Sequence, residues 1–188
     1  EWEINDNLTV KSITSFRDTD SNFSLDEDHS PLTVVHVTSA SKHEQFTQEI
    51  QILGTAFSQK LNWILGAYYF QEEGSYFETL NFAPADFQSG GAVDNDSLAF
   101  FAQGTYDLTD KLSLTLGLRY SDDTKRFTPD QFIIANRNAL VPPFLLGFGP
   151  GLVPPTPPPG FPILPNTEVS QDTQEVDPMA SIGYQSKR

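Results

Sequence analysis

A chain of 188 residues without a single cysteine carries neither a disulfide framework nor a thiolate metal site, and its length suits one domain or slightly more. Its 25 acidic against 11 basic residues give a net charge of −14, which argues against nucleic-acid binding through a basic surface. Hydrophobic residues make up 38 %, below the about 45–50 % of ordinary globular chains even allowing for glycine, and no apolar run reaches the roughly 18 residues of a membrane-spanning helix.

Glu1 to Ile4 reads as the tail of a strand, closed by the polar turn Asn5, Asp6 and Asn7. The opening EWEINDN has neither the basic start nor the apolar stretch of a signal peptide, so the chain is expected to be a fragment that starts in mid-structure. A long strand follows from Leu8 to about Asp26, with Leu8, Val10, Ser12, Thr14 and Phe16 on one parity. Asp26, Glu27 and Asp28 with Pro31 end it, and Val34 to Val37 reads as a short strand inside a loop. Lys42 to Leu53 forms the next strand, Phe46, Ile50 and Ile52 facing one way and Thr47, Glu49 and Gln51 the other.

Gly54 to Gln59 is a short connection to a strand running from Lys60 to about Phe82, where Leu61, Trp63, Leu65, Ala67 and Tyr69 share a parity. Ala83 to Asn95, with Pro84, Gly90 and Gly91, reads as a loop. From Ser97 to Thr128 comes the strongest signal. Leu98, Phe100, Ala102, Tyr106 and Leu108 alternate with polar residues up to a tight turn at Asp107 to Lys111; Leu112, Leu114, Leu116, Leu118 and Tyr120 then alternate with Ser113, Thr115, Gly117 and Arg119. This is an antiparallel hairpin with one apolar face. Pro129 opens a proline-rich connection to about residue 171, and a last strand from about Thr173 to Gln185 places Ala180, Ile182 and Tyr184 together.

Connections are thus expected to be short near Asn5, Gly54 and Asp107 and long near Asp28, Ala83 and Pro129, the alternation of an outer-membrane barrel. Leu112 to Tyr120 is nine residues, and a tilted strand crosses the hydrocarbon layer in about 9–11. Trp63, Tyr106 and Tyr184 lie by the short turns; Phe16, Tyr69 and Tyr120 lie toward the other end. These six are the expected aromatic girdles at the two lipid interfaces. The fold class is therefore all-β: an antiparallel meander of about six long strands and the stub of a seventh, part of a large transmembrane barrel that this length alone does not close. A passive porin-like barrel, and a secreted β-sandwich binding module whose apolar face meets a second sheet, remain open alternatives.

Enzymatic and metal chemistry find little support. Glu72 and Glu73, like Asp122 and Asp123, point to opposite faces of a strand and do not converge on one substrate atom. His29, His36 and His43 are spaced by seven, an odd number that flips the face at each step, so they read as surface histidines and no cofactor or metal is expected. The acidic group Asp18, Asp20, Asp26, Glu27 and Asp28 lacks the spacing of a calcium loop and reads as a solubilising face.

Three places resemble the barrel of TonB-dependent outer-membrane receptors. SLAFFAQGTYDLTDKLSLTLGLRYSDDTKRF is similar to that family's strand pair ending in Gly-x-Arg-Tyr, here Gly117, Leu118, Arg119 and Tyr120. FTQEIQI is similar to its Ser-Gln-Glu-x-Arg-Leu strand, kept at Gln48 and Glu49 but with Thr47, Gln51 and Ile52 at the other positions. Trp63, Gly66, Tyr68, Tyr69 and Phe70, and Ile13 to Asp18, resemble the flanking strands. The resemblance implies residues 1–188 of a plugged 22-stranded barrel in the bacterial outer membrane, with the plug absent from this sequence and a proline-rich extracellular loop at about 129–171. It implies import of a scarce small molecule, usually a ferric siderophore, powered by the inner-membrane TonB complex acting through the plug. The implied surroundings are outer-membrane lipid and lipopolysaccharide. Glu49 and Arg119 are expected to face the lumen and make polar links to the plug, and Phe144, Phe148 and Phe161 mark a possible ligand surface in the loop.

Overall fold

A computed structural model describes all residues except 30, 32–34, 83–84, 137–157 and 186–188. Among the described residues there are eight strands and no helix: β1 (Trp2–Asn5), β2 (Leu8–Asp26), β3 (Val35–Ala56), β4 (Leu61–Phe82), β5 (Ala85–Thr109), β6 (Leu112–Pro129), β7 (Phe132–Asn136) and β8 (Val169–Tyr184). They form one antiparallel sheet in the order β1-β2-β3-β4-β5-β6-β8, with β7 attached to β5. The six long strands and the stub β1 follow the expected meander.

Several boundaries differ from the sequence expectation. Val35 to Val37 is not a separate short strand but the start of β3, which runs unbroken to Ala56; Val34 lies outside the described residues. Of the expected loop at Ala83 to Asn95, residues 85–95 are instead the first half of β5, paired with β4 from Phe82↔Ala85 onward, and Ala83 and Pro84 lie outside the described residues. Glycine there serves close packing rather than a turn: a Cβ on Gly90 would fall 2.0 Å from the Tyr76 carbonyl oxygen. Among the described residues the long side of the sheet is therefore built largely from strand extensions. The proline-rich connection also contains an element not expected, β7, which takes over the edge of β5 at Ala85 to Gln88 where β6 departs at Pro129. Beside it runs the end of that connection, held by Gly160 N–H to Ile133 O at 2.7 Å and Ile133 N–H to Phe161 O at 3.0 Å.

The short turns close by local chemistry. Asn5 Oδ1 accepts from the Asn7 amide at 2.9 Å, and Thr109 Oγ1 accepts from the amides of Lys111 and Leu112 at 3.2 and 3.0 Å. Between β3 and β4, Phe57, Ser58 and Gln59 all adopt positive φ (53°, 58° and 67°), and Phe57 meets Tyr106 edge-on at 6.4 Å between ring centroids.

Among the described residues there is no core enclosed between layers. Val37, Ser39, Ala85, Ala99 and Ser121 are buried on one face of the single sheet, while Leu116 (54 % exposed), Phe100 (51 %) and Ile182 (72 %) lie on the other, where Asp86 is buried.

Candidate functional site

Register decides what each face presents. The pairings Ile50↔Ala67, Ala67↔Phe100, Phe100↔Tyr120 and Tyr120↔Val176 place these residues in one row across five strands, and Ile52, Leu65, Ala102, Leu118 and Pro178 form the next. The result is a continuous apolar band. Each large side chain in it gains about 1.5–3 kcal/mol on leaving water, and a contiguous patch of this extent marks a surface that is covered by something apolar. The six aromatics expected as girdles, Phe16, Trp63, Tyr69, Tyr106, Tyr120 and Tyr184, all stand on this face. Trp63, Tyr106 and Tyr184 are on the short-turn side, with Phe16, Tyr69 and Tyr120 toward the other. Phe46, which sequence reasoning placed on the right parity but did not group with them, sits 6.3 Å from Tyr69 between ring centroids.

Beyond Phe16, Phe46, Tyr69, Leu98 and Tyr120 the same face becomes charged. Glu44, Glu73, Asp94, Asp96 and Asp122 appear, and Arg126 reaches across from β6 to Asp94 Oδ1 at 2.6 Å and Asp96 Oδ2 at 3.2 Å. The hydrogen bonds that it donates to Asp94 and then to Asp96 raise the proton affinity of this guanidinium above its ordinary range.

The opposite face is polar. Glu49, Tyr68, Ala99 and Ser121 form one row, with Gly66, Phe101, Arg119 and Asp177 in the row beside it. Arg119 lies across β5 so that its Cζ stands 6.0 Å from the Tyr68 ring centroid, and Ala99 between those strands is fully buried. Glu49 accepts from Gln51 Nε2 at 2.5 Å. Glu49 and Arg119 thus share a face, one on each side of Tyr68.

Further from the short turns, and outside the apolar band, lies a cluster that sequence reasoning missed. Glu72 Oε1 bonds His43 Nε2 at 2.5 Å, and Glu72 Oε2 accepts from Asn95 Nδ2 at 2.5 Å. The Asn95 bond, outweighing partial burial and joined by the bond and charge of His43, pulls the Glu72 carboxyl below its ordinary pKa of 4.5. His43 is therefore no free surface histidine. Only its parity was legible, because its partner Glu72 is 29 residues away in sequence, with Asn95 a further 23 beyond Glu72, and the three meet through register alone. His36 falls on the other face and bonds Ser24 Oγ at 2.7 Å, so the evenly spaced histidines do not converge. Among the described residues no three His, Cys, Asp or Glu side chains gather as metal ligands. Phe161 is half-exposed beside β7, whereas Phe144 and Phe148 lie outside the described residues.

A family model described as TonB dependent receptor-like, beta-barrel, matches residues 1–185. The fold is similar to the crystal structure of the ferric yersiniabactin uptake receptor FyuA from Yersinia pestis, at a TM-score of 0.73 and 15 % identity. That match covers 97 % of this chain and 24 % of FyuA, so the chain spans about a quarter of that receptor's length. No curated protein matches.

Proposed function

The chain belongs to the β-barrel family of TonB-dependent receptors, and from that premise we propose that it forms part of the wall of a bacterial outer-membrane transporter, one that imports a scarce ligand with energy from the TonB complex. The observation that carries this reading is the division of one sheet into two unlike faces. The apolar band, bounded by aromatic residues, fits lipid; the polar face, with Glu49 and Arg119 on either side of Tyr68, fits a lumen filled by a plug. Strands that continue well past the band, such as β4 to Phe82, raise the wall above the membrane, where the His43, Glu72 and Asn95 cluster faces the same way as the lumenal residues. The cargo is a ferric siderophore, a reading supported by the fold's likeness to a ferric yersiniabactin uptake receptor. Transport, not catalysis, is the role, and Glu49 and Arg119 make polar links to the plug.

Uptake of radioactive ferric chelates by iron-starved cells expressing the full-length receptor tests it. Uptake that depends on both TonB and the inner-membrane proton gradient is expected. Flux that persists without TonB and extends to unrelated small solutes would replace this reading by a passive barrel.

A further inference from the structure

One place in the outward band is not apolar. Trp63 to Tyr69 on β4 and Leu112 to Tyr120 on β6 present only apolar side chains on this face, but β2 and β3 interrupt it with Ser12, Thr14 and Gln48. Thr14 and Gln48 are directly paired, one row nearer the short turns than Phe16 and Phe46, and Ser12 is one row nearer still. A row is about 7 Å along the strand, so the notch lies just inside the girdle rather than in the water above it.

Its hydrogen bonds are incomplete in a specific way. Gln48 Nε2 donates to Ser12 Oγ at 2.9 Å and to the carbonyls of Glu49 at 3.1 Å and Ile13 at 3.2 Å, which occupies both of its protons. Gln48 Oε1 accepts from Thr14 Oγ1 at 2.6 Å and keeps a second lone pair. The Ser12 hydroxyl accepts, and its own proton has no acceptor among the described residues. One O–H donor and one amide carbonyl therefore stand side by side and face outward, where hydrocarbon satisfies neither.

The level above is anionic. Asp18 and Glu44 are directly paired just beyond Phe16 and Phe46, both exposed and without an ion-pair partner among the described residues, while Lys42 is held by Asp20 at 3.8 Å. These charges sort the occupants. A diester phospholipid brings only acceptors to the notch and leaves Gln48 Oε1 unmet. A second copy of the chain sets another Asp18 and Glu44 against the first pair, and lipopolysaccharide sets its phosphates there. An amide-linked chain under an amine meets both levels.

We propose that the notch docks a membrane lipid with an amine-bearing head and an amide-linked acyl chain. Its amide accepts from Ser12 and donates to Gln48 Oε1, and its amine lies against Asp18 and Glu44. The assignment rests on the reading of the apolar band as a lipid-facing wall and adds a lipid preference to it.

The test is native mass spectrometry of the full-length receptor in mild detergent with competing lipids of matched chains: an N-acyl ornithine lipid, its derivative acetylated on the head amine, and phosphatidylethanolamine. The ornithine lipid should be retained about fivefold over phosphatidylethanolamine, which has an amine but no amide, and about threefold over the acetylated form. Gln48→Leu should abolish the first preference and keep the second; Asp18→Asn with Glu44→Gln should do the reverse. Ile182→Val, at the far end of the band, should change neither. Equal retention of the three lipids, variants that leave both ratios unchanged while keeping heat-modifiable migration, or displacement of the ornithine lipid by equimolar lipopolysaccharide overturns the docking site. Lipid retained without preference discards the notch and keeps the wall; a receptor that stays dissolved without detergent and retains no lipid discards the wall, and the notch with it.

Discussion

The ring of Phe101 on β5 lies against Gly66 on β4, its directly paired neighbour, so closely that a Cβ on Gly66 would fall 2.1 Å from Phe101 Cζ. The same relationship recurs on the opposite face one strand pair away, where a Cβ on Gly54 would fall 2.3 Å from Trp63 Cζ2. In each case an aromatic ring covers backbone that glycine leaves bare, which shields the ladder and pins the register of the pair.

Gly66→Ala should therefore force Phe101 off its position at a cost of about 0.5–1.5 kcal/mol. Phe101→Ala makes that room free, so the double variant should be less destabilised than the sum, with a coupling of at least about 0.5 kcal/mol. Unfolding midpoints of the full-length protein in detergent measure this. Strict additivity would show that the ring does not depend on the glycine.

The assignment of faces predicts a large asymmetry between neighbours on β6. Leu116 belongs to the apolar band, so Leu116→Arg should cost about 2–4 kcal/mol and impair assembly. Thr115 faces the other way, where its Oγ1 lies 2.9 Å from Thr105 Oγ1, and Thr115→Arg should be mild. Equal losses in the two variants, read by heat-modifiable migration, would reverse the parity.

Glu72 lies outside the apolar band and its pKa is lowered, chiefly by Asn95. A group whose folded pKa is depressed adds stability that is fully present above its unfolded value, here 4.5, and is lost as pH falls through the lower folded value. Glu72→Gln removes that increment. The wild type should exceed the variant in unfolding midpoint at neutral pH, and the gap should close on acidification below 4.5. A gap that is constant with pH would mean that the carboxylate's charge contributes nothing.

Neutralising Glu49 and Arg119 together, as Glu49→Gln with Arg119→Gln, should loosen plug seating and lower cargo uptake while leaving the barrel folded. Protease access to the plug in the full-length receptor reads the first effect and chelate uptake the second. If both match the wild type, the polar links to the plug are absent. Tyr68→Phe keeps the ring under Arg119 and should behave as the wild type.

The alternation from Leu112 to Tyr120, the parity of Trp63 and Tyr69, and the tight turns at Asp6 and Asp110 were legible because each depends on residues within a few positions of one another. That was enough for the antiparallel meander, for its apolar face, and for placing Glu49 and Arg119 together on the other. The same local reading failed at Ala85 to Asn95, where glycines that look like a loop are strand positions crowded by Tyr76 and Phe127. It failed again at β7, whose pairing with Ala85 to Gln88 depends on where β6 leaves the edge.

By itself the sequence determined the period, the faces and the order of the strands, since side-chain direction in a strand follows from the pleat alone. Only the tertiary structure decided which residues of different strands stand side by side. The engagement of Glu72 by His43 and Asn95, the reach of Arg119 to Tyr68 and the closeness of Phe127 to Gly91 all follow from register. Register is a sum of weak pair terms over the whole ladder, and a shift of one residue would exchange the two faces of every strand it touched.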